Sequence, residues 1–400
     1  RNYDLDGTIE NIDLKNIYSI IGKTFQINGK IMESKFHIEN NNIYNKDDLL
    51  TYLDILIYNG QWDEIGFDSL FLSTSYSDRH LMISKCKLQT PIGYLNAEGW
   101  FNRGFFSGTP TFTPQDQFNI IMTFDHFALD KFNRYLPWGI ESKGFLTGNA
   151  KITGLIDDLE ILGDIMIKNP SFDRIKGDSL SASITYKKHR LFFHNLDLST
   201  PTGIYSGVGS IPIKLNINKR DTLSIENLPI DFLLTGKTNS IEFIPPYFNV
   251  IDSISGLNIT DHSFIMSIGI TGSLSNPVRN GEFIIDNAKV YLNPLEIPVE
   301  NINGRLKIID NRLIIDYLTG RLIKKGPAKK FSFTNIFKKD KNITKQNLKI
   351  MGSINLDYFF NPDFSIQIEG DDVYLNSSYN LFYGSGFADF YITGRDTVLI

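Results

Sequence analysis

Residues 268–318 read IGITGSLSNPVRNGEFIIDNAKVYLNPLEIPVENINGRLKIIDNRLIIDYL. Within them the runs 281–286, 301–309 and 312–317 alternate apolar and polar residues with a period of two. That period marks a sheet with one buried face. One face carries Phe283, Ile285, Ile302, Leu306, Ile308, Leu313 and Ile315. The other carries Glu282, Asp286, Arg305, Lys307, Arg312 and Asp316. Asp310-Asn311 leaves two turn-prone residues between the last two runs, the signal of a tight hairpin. The stretch predicts an antiparallel meander.

The meander recurs. A shift of 110 residues lays Asp68-Ser69-Leu70 on Asp178-Ser179-Leu180, Tyr76 on Tyr186, Leu81 on Leu191 and Thr90-Pro91 on Thr200-Pro201, with Gly93 on Gly203. A shift of 118 lays Ile152-Thr153-Gly154 on Ile270-Thr271-Gly272, Gly163 on Gly281 and Asn169 on Asn287. Such self-similarity predicts about three long repeats, 1–123, 124–236 and 237–400, forming one continuous array. The shared register predicts that Leu146, Ile152, Ile165, Ile167, Leu180, Ile184, Leu191 and Phe193 face the same interior as Phe283, Ile285, Leu306, Ile308, Leu313 and Ile315. Short helices are expected at 128–136, stopped by Pro137, and more weakly at 241–254. Elsewhere Gly and Asn/Asp pairs read as punctuation between strands of five to nine residues. Roughly 20–25 strands about 4.8 Å apart would span on the order of 100 Å.

A one-faced sheet must bury its apolar face against another layer or curl on itself. Few helices are available to cover it, and repeats each holding a helix fit barrel closure poorly. The expected fold is therefore mostly β, an elongated antiparallel sheet curled into a trough. An apolar interior of that extent is an interaction surface, and hydrocarbon chains are the natural occupant.

Composition narrows the function. Hydrophobic residues make up 42% and charged residues 21%, which places the chain among folded proteins. A net charge of −5 argues against nucleic acid as partner. The single cysteine, Cys86, excludes an internal disulfide framework and a cysteine-based zinc site. It aligns with Leu196 and reads as a small core hydrophobe. No metal or cofactor site is predicted, since the six histidines form no HExxH and have no carboxylate at ligand spacing. Asp157-Asp158 and Asp371-Asp372 read as solvated turns, and no catalytic constellation is visible, so no enzyme is expected. Between 324 and 349 lie nine lysines and one acid, Asp340, with Phe331, Phe333, Ile336 and Phe337. This reads as a basic insertion, solvated or touching an anionic surface. No window predicts a transmembrane helix or a signal peptide. Arg1 at the start and a strand-like 391–400 at the end suggest a segment of a longer polypeptide.

ITGSLSNPVRNGEFIIDNAKVYL (270–292), followed by NGRLKIIDNRLII (303–315), resembles the strand-repeat region of the TamB family, within the wider AsmA-like group of bacterial envelope proteins. GFLTGNAKITGLIDDLEILGDIMIKNPSF (144–172) is similar to the same pattern. The resemblance implies a U-curved β-taco with a hydrophobic groove. It implies a bridge-like conduit for phospholipid acyl chains between inner and outer membranes of a diderm bacterium. The full-length protein would be periplasmic, anchored in the inner membrane and partnered, through regions outside this chain, with a TamA-like outer-membrane barrel. An assembly scaffold for outer-membrane proteins is the first alternative, and a polysaccharide-acting β-solenoid the second.

Overall fold

A computed structural model of the chain describes residues 3–16, 27–40, 49–62, 65–77, 80–102, 117–130, 133, 141–155, 158–172, 175–214, 224–241, 251–256, 263–293, 295–322, 346–357, 363–376, 383–395 and 397–399. Almost all of them are strand, and the strand pairings are antiparallel. In chain order the strands are β1 (Tyr3–Asp13), β2 (Ile27–Asn40), β3 (Leu49–Trp62), β4 (Ile65–Ser77), β5 (His80–Gln89), β6 (Tyr94–Asn102), β7 (Gln117–Ala128) and β8 (Ser142–Leu155). There follow β9 (Asp158–Phe172), β10 (Ile175–Lys176), β11 (Ser179–Lys187), β12 (Arg190–Thr200), β13 (Gly203–Pro212), β14 (Asp231–Thr238), β15 (Ile251–Gly256) and β16 (Phe264–Gly272). The last are β17 (Pro277–Leu292), β18 (Val299–Ile309), β19 (Arg312–Arg321), β20 (Leu348–Asn355), β21 (Asp363–Asn376), β22 (Tyr383–Arg395) and β23 (Thr397–Leu399).

The twenty-three strands among the described residues fit the density expected from the alternation, but many are longer than expected; β17 has 16 residues and β9 has 15. The reason lies in what Gly and Asn/Asp do. Gly99, Gly148 and Gly352 lie within strands at φ +143°, +154° and +144°. A Cβ there would come within 2.1–2.2 Å of a carbonyl oxygen on the neighbouring strand. They let two backbones close up where the sheet bends. Asp371-Asp372, expected at a turn, instead lies inside β21, where the register with β22 slips between Gly370 and Val373. It is a β-bulge, with Asp372 at φ 50°.

Left-handed residues of this kind form a series, and all but Asn11 lie at or beside a register slip. Asn11, Asn59, His126, Asn169, Asn287, Asn301 and Asp372 all have φ between 48° and 62° inside strands. These are residue types that tolerate the left-handed region best. Six lie toward the end of their strand and Asn301 toward the start of β18, which puts them at one margin within each unit. A bulge bends its strand, so the tails beyond the series turn over.

Helix is sparse among the described residues. One helical turn covers residues 14–16, and a 3₁₀ turn covers 129–130 with 133. The rest of the expected helix at 128–136, most of 241–254, and nearly all of the 324–349 insertion lie outside the described residues.

The chain divides into two compact units, residues 1–198 with 209–228, and residues 199–208 with 229–400. In the first, β1 to β9 pair in sequence and β9 continues to β11. In the second, β14 pairs with β16, and β16 to β23 pair in sequence; β15 lies beside the tail of β17. The repeat echoes locally. Thr90 Oγ1 donates to Gly93 O and accepts from Gly93 N (2.8 and 3.0 Å), and Thr200 and Gly203 make the same pair (3.1 and 3.1 Å).

Candidate functional site

Directly paired residues in a ladder share a face. In the second unit one cross-strand row runs Thr238, Phe264, Ile285, Gly304, Leu318, Ile350, Ile368, Phe390. The next runs Gly236, Met266, Phe283, Leu306, Ile315, Gly352, Ile366, Ile392, and a third holds Leu234, Ile268, Gly281, Ile308, Leu313, Ile354, Phe364, Gly394. Across eight strands these rows contain no charged side chain. Glycines recur opposite bulky neighbours, so large and small alternate and the face can bend without leaving gaps.

The first unit is built alike. One row runs Ile55, Leu72, Cys86, Ala97, Met122, Ala150, Gly163, Ile184, and its neighbour Ile57, Leu70, Leu88, Leu95, Phe124, Gly148, Ile165, Ala182. Cys86 thus sits in the apolar row, where burial pushes its thiol pKa up, the opposite of what a nucleophile needs.

Every residue predicted for the interior lies on these faces. Leu146 pairs with Phe127 and Ile167, and Ile167 pairs with Leu180; Ile152 pairs with Ile120 and Ile161. On β12, His194 meets Thr185 on the outer side at 2.8 Å, so Leu191 and Phe193 point the other way. Ile167, Ile308 and Ile315 are buried, and the remaining eleven are half-buried. The outer face is polar where expected. Arg305 donates to the Glu282 carboxylate and holds its pKa below the usual range, and Lys307 lies 2.6 Å from Asp316. Ile309↔Arg312 closes the two-residue hairpin, with Asp310 and Asn311 at φ 48° and 65°, a type I′ turn.

Sequence reading missed the margin that seals these faces. In the second unit, beyond the Asp371-Asp372 bulge, Tyr374 N donates to Leu322 O (3.0 Å) and Asn376 O accepts from Glu296 N (2.9 Å). Glu296 lies in the link between β17 and β18, and β18 is three strands from β21, about 14 Å in a flat sheet. The tail of β21 has therefore folded across the face. Asn347 ties the crossing, accepting from Leu322 N (2.9 Å) and donating to Leu322 O and Asp372 O (3.1 and 3.0 Å). Leu295 and Ile297 of the link pack with the cluster beneath, around Ile241, Phe264, Ala288, Leu322 and Val373. The first unit has its own cluster at the same margin, with Leu14, Ile31, Ile57, Phe67, Leu88 and Phe127. The available signal was an Asn/Asp or His within a few residues of a strand's end at this margin, or, for Asn301, of its start.

One charged cluster also escaped sequence spacing because two strands supply it. His37 Nδ1 lies 2.9 Å from Asp6 and 3.6 Å from Asp4 on the outer side of β1 and β2, with Glu39 3.9 Å from Nε2. The hydrogen bond to Asp6 raises the imidazole pKa. Among the described residues, no helix is long and apolar enough to cross a membrane. Comparison of the chain with family models, curated proteins and solved structures finds no match.

Proposed function

We propose that this chain is a stretch of a bridge-like phospholipid conduit of the TamB and AsmA-like kind, working in the periplasm of a diderm bacterium. The observation that carries this reading is the uncharged apolar face, eight strands wide in each unit, whose side chains are mostly half-buried instead of packed away. A monomeric domain covers such a surface or uses it, and acyl chains match its chemistry. Its action is passive: chains slide along the face while direction comes from partners, an inner-membrane anchor and a TamA-like barrel, outside this chain. No step requires a catalytic group or cofactor.

A second reading, an assembly scaffold with a filled interior, draws on the sealed margin, where Phe264, Ala288 and Val373 are fully packed. Ile285→Asp separates the two. Ile285 is half-buried in the middle of the face, and an unpaired charge there costs a few kcal/mol unless water or a head group reaches it. Thermal unfolding and transfer of a fluorescent phospholipid between vesicles are measured together. The conduit reading expects a folded variant that no longer transfers lipid. A variant that unfolds supports the filled scaffold. One that folds and transfers like the parent contradicts the conduit.

A further inference from the structure

We propose that β22 is a self-pairing edge, along which two copies of the chain join antiparallel about a two-fold axis at Phe387. The side of β22 away from β21 is paired over only three residues, where β23 meets Thr393, Gly394 and Arg395. Among the described residues, Tyr383 to Ile392 have no strand on that side. On the outer face Tyr383, Phe387 and Tyr391 are 81%, 77% and 64% exposed. On the inner face Gly384 and Gly386 look onto open space, with no heavy atom within 4 Å of where a Cβ would stand. Phe390, at the end of its apolar row, is 41% exposed. A bare edge of this kind is a template for another strand, and charge is the usual guard against it. β1, paired only with β2 among the described residues, carries that guard: Asp4, Asp6 and Glu10 line its outer face. Between Tyr383 and Ile392 there is one charge, Asp389.

Register selects a second copy as the occupant. Setting Phe387 against Phe387 of the second copy places Tyr383 opposite Tyr391, Ser385 opposite Asp389, Gly384 opposite Phe390 and Gly386 opposite Ala388, each pair occurring twice. Aromatic rings then meet aromatic rings on the outer face, a favourable cross-strand pairing, and no like charges oppose. On the inner face Phe390 and Ala388 each meet a glycine. The chain already uses that fit: Gly7 pairs with Phe36 and Gly60 with Phe67, and in both the ring fills the space a Cβ would take. Moving the axis one residue either way sets Phe387 against Ser385 or Asp389 and breaks every aromatic pair. Moving it to Asp389 opposes two carboxylates. The favoured register ends at Tyr391, short of Thr393 where β23 is seated. Opposed residues share a face, so the apolar rows run on from one copy into the other.

Sedimentation equilibrium of the full chain between about 1 and 100 μM reads the association, and a dimer is expected. Phe387→Lys opposes two ammonium groups at the axis and should raise the dimer dissociation constant at least about ten-fold. Because Phe387 is exposed, thermal unfolding of the dilute monomer should not change. Oxidation in a Cys86→Ala background, which removes the native thiol, reads the register. Phe387→Cys should give a disulfide-linked dimer, since only residue 387 faces its own copy. Ser385→Cys should not, because its own copy lies four residues along the partner strand, beyond disulfide reach. A chain that stays monomeric across the range, a dimer that Phe387→Lys leaves intact, or equal crosslinking at the two positions overturns the proposal.

Discussion

At the scale of single residues, the bulge asparagines organise the sheet margin more than any apolar side chain does. Asn287 sits at φ 51°, and its backbone N–H is taken by Asn303 Oδ1 at 2.9 Å instead of by the ladder. The left-handed geometry is cheap for Asn or Gly and strained for a β-branched residue, by about 1–3 kcal/mol. Asn287→Val should therefore destabilise the chain by about that amount in a denaturant titration. Asn287→Gly should stay within a few tenths of a kcal/mol, since Gly visits this region freely. Equal costs for the two variants would mean that the side chain, not the backbone, fixes the bulge. The matching geometry at Asn169, φ 50°, aligned with Asn287 by the sequence repeat, extends the expectation to that position.

At the scale of elements, the β18–β19 hairpin tests face assignment by neighbours one residue apart. Ile308 is 7% exposed and Ile309 48% exposed. Ile308→Asp should cost several kcal/mol by placing an unpaired carboxylate among Gly281, Leu313 and Leu306. Ile309→Asp should change stability by no more than about 0.5 kcal/mol. Reversed costs would show that β18 is turned over. This hairpin was legible in the sequence because one face is buried and the turn residues are specific; a one-residue slip would exchange its apolar set with Arg305, Lys307 and Asp316. The bulge margin was less legible. Glycines in general read as punctuation between strands, and Asp371-Asp372 as a turn, because a residue that ends a strand and one that bends it look alike in sequence. What separates them is a partner strand that continues past the bulge, as Val373↔Gly386 does, and that partner is distant in the chain. The crossing of β21 over the face rests on Leu322, Asn347 and Glu296, whose positions no local pattern announces.

At the scale of the whole molecule, the composition gives the reading its limits. A chain with 42% hydrophobic residues and a net charge of −5 keeps its charges off the inner rows of both units. The central claim is that these rows are a surface for acyl chains. If so, bound lipid is spread over many equivalent positions, since no row is markedly richer in apolar side chains than the next, and head groups reach water at the margin. The most direct measurement is quantitative lipid analysis of the full chain purified from a membrane-containing lysate, by organic extraction and mass spectrometry. Several phospholipid molecules per chain, with mixed head groups, are the predicted result. No bound lipid, or a single small molecule at one per chain, would contradict the account.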